Sequence, residues 1–148
     1  MTTKLKETLI ICDQIFINCD IDYFELLEKT IDDKFFDDYK NTRIINSFLF
    51  NFSKLQDKIG TKLFKQLLFE LREIADFSVV MIDILNILEK LNIVNKEEWD
   101  NLREVRNLLA HEYPFCIDER IENINITLES YLLLKGIYKR LKDATNSI

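Results

Sequence analysis

The chain has 148 residues, of which 47% are hydrophobic and 31% charged, a balance typical of one globular domain. It has only two glycines and one proline, too few turn residues for a β-rich fold, so the composition favours helices. The net charge of −6 argues against a general nucleic-acid-binding surface. Three cysteines without paired spacing are typical of reduced thiols, and no apolar run is long enough to span a bilayer. We therefore expect a cytoplasmic protein without a signal peptide or a membrane segment.

The charge is unevenly distributed along the chain. Residues 20–38, which we call the acidic arm, contain eight acidic residues and two lysines, a net charge of −6. Residues 39–75 contain seven basic and three acidic residues, a net charge of +4. This asymmetry is compatible with a local anionic ligand. The acidic arm itself is interpreted as a solvated surface or as a contact for a basic partner.

The first third of the chain predicts two helices. Apolar residues at spacings of three and four predict a helix over residues 4–18, and a short acidic helix is predicted over residues 23–32. No regular element is predicted over residues 33–41. Three aromatic residues in that segment are nevertheless expected to be buried: Phe35, Phe36 and Tyr39.

A strong amphipathic helix is predicted to begin near Thr42. Its apolar stripe consists of Ile45, Phe48, Phe52, Leu55 and Ile59. Gly60 and Thr61 interrupt the stripe, which predicts either a kink or a helix end, and the apolar pattern resumes over residues 63–74. The next helix is predicted over residues 78–91 and should stop at Asn92.

The last third predicts two more helices and completes an all-α bundle. Asn95 is a good N-cap for the first of them, and acidic residues at 97 and 98 suit the positive end of its dipole. Pro114 disfavours helical geometry at Tyr113, so that helix should end there or just before. A final helix is predicted over residues 118–142. With no repeat or linker, residues 1–148 are interpreted as one all-α domain.

The segment RNLLAHEYP, residues 106–114, holds the only histidine and the only proline of the chain. Asn107 and His111 are four residues apart and therefore share a helix face, with Arg106 about 100° to one side. His111 can move protons near neutral pH, and Arg106 offers a charged fork that suits phosphate. Asn107 can orient the imidazole, and Tyr113 adds a hydroxyl group.

A structural interpretation of these residues remains open. A histidine near a helix C-terminus often contacts the last carbonyl groups and the helix dipole. Arg106 could pair with Glu98 or Glu112 on the surface.

The spacing of Arg106, His111 and Tyr113 resembles the R-x4-H-x-Y signature of the HEPN superfamily, in particular of HepT-like ribonuclease toxins. The stretch FSKLQDKIGTKLF, residues 52–64, is similar to a segment of one branch of those proteins. The resemblance implies a HEPN-like helical bundle with metal-independent endoribonuclease activity and no cofactor. Arg106 and His111 would then form the catalytic pair, supported by Asn107.

Two protein partners are expected, an antitoxin and a second copy of the chain. In HepT-like proteins the motif tyrosine, here Tyr113, receives AMP groups from a nucleotidyltransferase antitoxin. A homodimer is expected because cleavage needs both an acid and a base, whereas the chain has one histidine. A two-fold axis beside residues 106–113 would bring two copies of Arg106 and His111 into one cleft.

Four lysines, at positions 54, 58, 62 and 65, are spaced by four, four and three residues and would share a face of a continuous helix. A solvated face is the interpretation that this pattern favours. A track for the RNA backbone, formed by Lys54, Lys58 and Lys62, is the alternative. Neither an H-E-x-x-H nor a C-x-x-C motif is present, so no metal ion is expected.

Two other classes of function remain open. The same groove could serve a non-catalytic helical module that binds a nucleotide or a protein. The chain could also be a plain helical interaction protein in which His111 has a structural role.

Overall fold

The computed structural model describes residues 1–110 and 116–148, and these residues form helices and turns without a β-strand. The N-terminal helix, α1 (Thr3–Leu27), begins at Thr2, whose hydroxyl accepts a hydrogen bond from the backbone N–H of Leu5. The break predicted after residue 18 is wrong. The buried stripe continues through Cys19, Tyr23 and Leu26, so one helix replaces the two that were expected.

The remainder of the acidic arm connects α1 to the next helix. A short 3₁₀ turn, Phe35–Asp37, buries Phe35 and partly buries Phe36, as expected. Tyr39 is 74% exposed, so its predicted burial is wrong. Asp38 caps the following helix, because its carboxylate accepts a hydrogen bond from the N–H of Lys40 at 2.9 Å.

Residues 39–75, the basic part of the chain, contain helix α2 (Tyr39–Lys58), a π-helical turn (Ile59–Leu63) and helix α3 (Phe64–Glu70). All five residues of the predicted apolar stripe of α2 are buried. The interruption predicted at Gly60 and Thr61 is the π turn. A Cβ atom on Gly60 would lie 2.8 Å from Cζ2 of Trp99, so this position requires a residue without a side chain.

Helix α4 (Met81–Lys90) begins later than predicted, because Asp76 accepts a hydrogen bond from the N–H of Ser78 and holds that segment in a turn. Asn92 adopts a positive φ of 58° and stops the helix as expected. Helix α5 (Lys96–Leu109) has the predicted cap, since Asn95 accepts from the N–H of Glu98 at 3.0 Å.

The last helix, α6 (Ile117–Ala144), runs against α1 and completes the core. Phe16, Tyr23 and Phe48 surround the buried ring of Tyr131. Helix α5 packs on α2, α4 and α6, with Trp99 edge-on to Phe64 at 4.7 Å. The predicted all-α fold is thereby confirmed. In the described part of the chain, no helix has the length and hydrophobicity to cross a membrane.

Candidate functional site at the end of helix α5

The last turn of α5 presents Arg106 beside the π turn. Its Nε and Nη2 atoms donate hydrogen bonds to the two carboxylate oxygens of Asp57, at 3.3 and 3.1 Å. The Arg106 side chain is 34% exposed and that of Asp57 56% exposed. The guanidinium group is therefore oriented by a two-point contact that solvent still reaches.

This pairing corrects one sequence-based alternative. Arg106 does not pair with Glu98, because Glu98 binds Arg140 at 3.3 Å. Asp57 precedes Arg106 by 49 residues. The backbone carbonyl of Asp57 also accepts a hydrogen bond from the hydroxyl of Thr61, which ties the carboxylate's position to the π turn.

Asn107, the next residue of α5, is exposed. His111, Glu112, Tyr113 and Pro114 lie outside the described residues, so the shared face of Asn107 and His111 remains a prediction. Helix α5 ends at Leu109, with the N–H of Ala110 donating to the carbonyl of Asn107 at 3.2 Å. The described end lies before Tyr113, as expected.

A basic groove, which we define by Lys4, Lys58, Lys62 and Lys65, lies between α1 and the π turn. It has a volume of about 680 Å³, and Glu7 is the single acidic residue among the described residues that line it. Four lysines and one glutamate give the lining a formal charge of +3. Lys4 comes from outside the predicted lysine stripe, and the fold adds it to the other three.

Lys54, the first residue of the predicted stripe, is not part of the basic groove. Its ammonium lies over the ring of Phe50, 5.9 Å from the centroid. The π turn, which contains Lys62, lies between Lys58 and Lys65 and interrupts the continuous α-helical face that the spacing predicted.

Two aromatic rings extend the basic groove at one side. Phe69 and Phe77 stack with their centroids 5.2 Å apart and their planes inclined by 27°. Both side chains are about half exposed and line the groove. Lys65 joins them, since its ammonium donates to the carbonyl of Phe77 at 2.9 Å.

A second set of polar groups lies in the seam between α1 and α6. The hydroxyl of Tyr131 donates to Asp20 at 2.7 Å, and Lys135 binds the same carboxylate at 2.9 Å. The hydroxyl of Tyr138 donates to Asp13 at 2.7 Å. Burial, with the hydrogen bond to Asp20, raises the pKa of Tyr131 well above its ordinary value. These groups fix the packing of the two helices.

The thiols and carboxylates of the described residues do not assemble a further site. Burial raises the pKa of Cys12 to about 11 and that of Cys19 to about 12, so both thiols are protonated at neutral pH. Cys116 is exposed. No cluster of three metal-ligating side chains occurs within residues 1–110 and 116–148.

Comparison with protein-family models, with curated proteins and with solved structures finds no match to this chain.

Proposed function

We propose that this chain is a HEPN-like, metal-independent endoribonuclease in which Arg106 and His111 act on the RNA backbone. The observation that carries the proposal is the two-point contact between Arg106 and Asp57 at a solvent-accessible surface. Asp57 is followed directly by Lys58, which lines the basic groove. A planar guanidinium that binds two carboxylate oxygens has the geometry to bind two phosphate oxygens.

The chemistry assigns one role to each residue. RNA cleavage without a metal requires removal of the 2′-hydroxyl proton and protonation of the 5′-oxygen that leaves. His111 would carry out these proton transfers, and Asn107 would orient its ring. Arg106 would stabilise the negative charge of the phosphorane, since a preorganised cation lowers the energy of that transition state. A homodimer with two such sites in one cleft would supply an acid and a base at once.

Substitution of Arg106 tests the catalytic assignment. We expect Arg106→Lys to lower kcat for RNA cleavage about 100-fold or more, because an ammonium lacks the planar fork. Arg103→Lys is the matched control: Arg103 is exposed on the same helix and pairs with Asp100 at 3.7 Å, so its activity should be unchanged. His111→Ala should abolish cleavage and relieve the growth arrest caused by induced expression. Full activity of purified Arg106→Ala would overturn the assignment.

The basic groove supports RNA as the substrate. Its lysines can neutralise several backbone phosphates, and the exposed faces of Phe69 and Phe77 offer a surface on which unpaired bases could stack. The groove concentrates positive charge on a chain whose net charge is −6, so RNA would bind at this surface and not over the whole molecule.

Salt dependence tests the basic groove directly. Each lost phosphate contact to a single strand should reduce the slope of log Kd against log salt concentration by about 0.7. We expect this reduction for Lys58→Ala and for Lys62→Ala, measured with a short single-stranded RNA and the cleavage-deficient His111→Ala protein. Lys54→Ala is the control, because Lys54 lies over Phe50 and away from the groove. Equal effects of all three substitutions would point to non-specific attraction.

Regulation by a nucleotidyltransferase antitoxin is the third element of the proposal. AMP attached to Tyr113 would bring negative charge and bulk towards Arg106 and oppose RNA entry. Intact-mass measurement after co-expression with a cognate transferase should show increments of one AMP unit. Tyr113→Phe should abolish these increments. If they persist in Tyr113→Phe, another residue is the acceptor.

A non-catalytic module that binds a nucleotide or a protein through the same groove is the alternative. Substitution of the lysines would change the salt dependence of its binding in the same way, but such a module would neither cleave RNA nor stop growth. The Arg106→Lys experiment therefore separates the two functions.

A further inference from the structure

The outer face of α1 carries an apolar stripe that no described residue covers. Ile10, Ile17, Ile21 and Phe24 are each more than half exposed. At 100° per residue, they fall within a sector of about 60° on the helix surface. Isolated exposed apolar residues are ordinary, but four along one face of one helix form a surface suited to a partner helix.

A charged residue lies at each end of this stripe, and the two charges are opposite in sign. Lys6 lies one turn before Ile10, and Glu28 lies one turn after Phe24, both in the same sector of the helix. Both are exposed, and neither has an ion-pair partner among residues 1–110 and 116–148. The stripe is thus basic at its N-terminal end and acidic at its C-terminal end.

We propose that a second copy of this chain covers the stripe through an antiparallel α1–α1 contact whose two-fold axis passes beside Ile17. With Ile17 opposite its own copy, Ile10 faces Phe24 of the partner subunit and Lys6 faces Glu28 of the partner subunit. The spacings make these matches simultaneous, because 10 and 24 are equidistant from 17, and so are 6 and 28. A two-fold contact requires this kind of self-complementary surface.

The matched positions also explain why a second copy fits better than an unrelated helix. An apolar centre with oppositely charged ends is complementary to itself only when reversed, which a two-fold axis provides. The contact extends over the 23 residues from Lys6 to Glu28, about 33 Å of helix. One helix pair is a small interface, so we expect a dimer that dissociates in the micromolar range. This axis is distinct from the one expected at residues 106–113.

Disulfide trapping tests the position of the axis. Cys116→Ser removes the exposed native thiol and leaves Cys12 and Cys19 buried. In that background Ile17→Cys should form a covalent dimer on oxidation, because facing residues at the axis of a packed helix pair come within disulfide range. Asn18→Cys, exposed on the same helix and rotated by about 100°, is the control and should stay monomeric. Equal trapping at both positions, or none at position 17, would overturn the proposal.

Charge reversal tests the direction of the pairing without a cysteine. Lys6→Glu and Glu28→Lys should each raise the Kd of the dimer several-fold in sedimentation experiments, whereas the double variant should restore the original Kd. Ile17→Glu should abolish the α1–α1 association and leave the thermal stability of the fold unchanged, since Ile17 is exposed in the single chain. A wild-type chain that remains monomeric throughout the micromolar range, or a double variant without recovery, contradicts the antiparallel register. Cleavage assays of Ile17→Glu keep this question separate from the proposed ribonuclease activity, whose two-fold axis is expected at residues 106–113 and not at α1.

Discussion

The end of α5 and the seam between α1 and α6 both pair a carboxylate with a cation, but they use the pair differently. In the seam, Asp20 binds Lys135 and also accepts a hydrogen bond from the buried Tyr131. At the end of α5, Asp57 binds Arg106 on a solvent-accessible surface, and no tyrosine among residues 1–110 and 116–148 shares its carboxylate.

This difference separates a structural pair from one that is able to exchange partners. An exposed ion pair contributes at most about 1 kcal/mol, because water and salt compete with it. A phosphate group can therefore replace Asp57 at little cost. Replacing Asp20 would break the hydrogen bond that satisfies Tyr131 as well. The geometry thus favours Arg106, and not Lys135, as the cation that meets a ligand.

The largest stability effect is expected where α5 contacts the π turn. Gly60→Ala places a Cβ atom 2.8 Å from the ring of Trp99 and should lower the free energy of unfolding by about 1–3 kcal/mol, the usual cost of overpacking. Gly136→Ala is the matched control, since beyond the neighbouring turns of helix α6 no described residue lies within 4 Å of the added Cβ. It should stabilise the protein by about 0.5–1 kcal/mol.

Denaturant unfolding, followed by the fluorescence of Trp99, measures both changes. If the contact between Gly60 and Trp99 also positions Arg106, Gly60→Ala should lower the RNA affinity of the folded protein, whereas Gly136→Ala should leave that affinity unchanged. Stabilisation by Gly60→Ala would mean that the π turn accommodates a methyl group and does not need glycine.

The sequence predicted local features of the fold well, because short-range signals determine them. Asn95 caps α5 and Asn92 stops α4, as their residue types predicted. The helix break predicted after residue 18 is wrong, because α1 continues to Leu27. Asp20 is instead accommodated within α1, because Tyr131 and Lys135 on α6 bind it across more than 100 residues.

The candidate site was only partly predictable, because its contacts join residues that are far apart in the chain. The motif pointed to Arg106 as a candidate residue, but no local pattern identified Asp57 as its partner, since the two lie on different helices. The lysine spacing found Lys58 and Lys62. It could not exclude Lys54 or add Lys4, because the π turn and the packing of α1 determine which lysines meet.

The smallest stability effects distinguish the two carboxylates directly. Asp20→Asn removes the charge that holds Lys135 and weakens the hydrogen bond from Tyr131, so the free energy of unfolding should fall by about 1 kcal/mol. Asp57→Asn should change it by less than about 0.5 kcal/mol, because the pair with Arg106 is exposed.

The binding of RNA should show the reverse order. Asp57→Asn frees the charge of Arg106 from a competing carboxylate, so the Kd of a short single-stranded RNA should fall by about two- to five-fold, the factor that corresponds to an exposed ion pair. Asp20→Asn should leave the Kd unchanged, because the carboxylate of Asp20 binds Tyr131 and Lys135 in the seam. Fluorescence anisotropy on the His111→Ala background measures both values without cleavage. Weaker binding by Asp57→Asn would show that the carboxylate orients Arg106 for phosphate and does not compete with it.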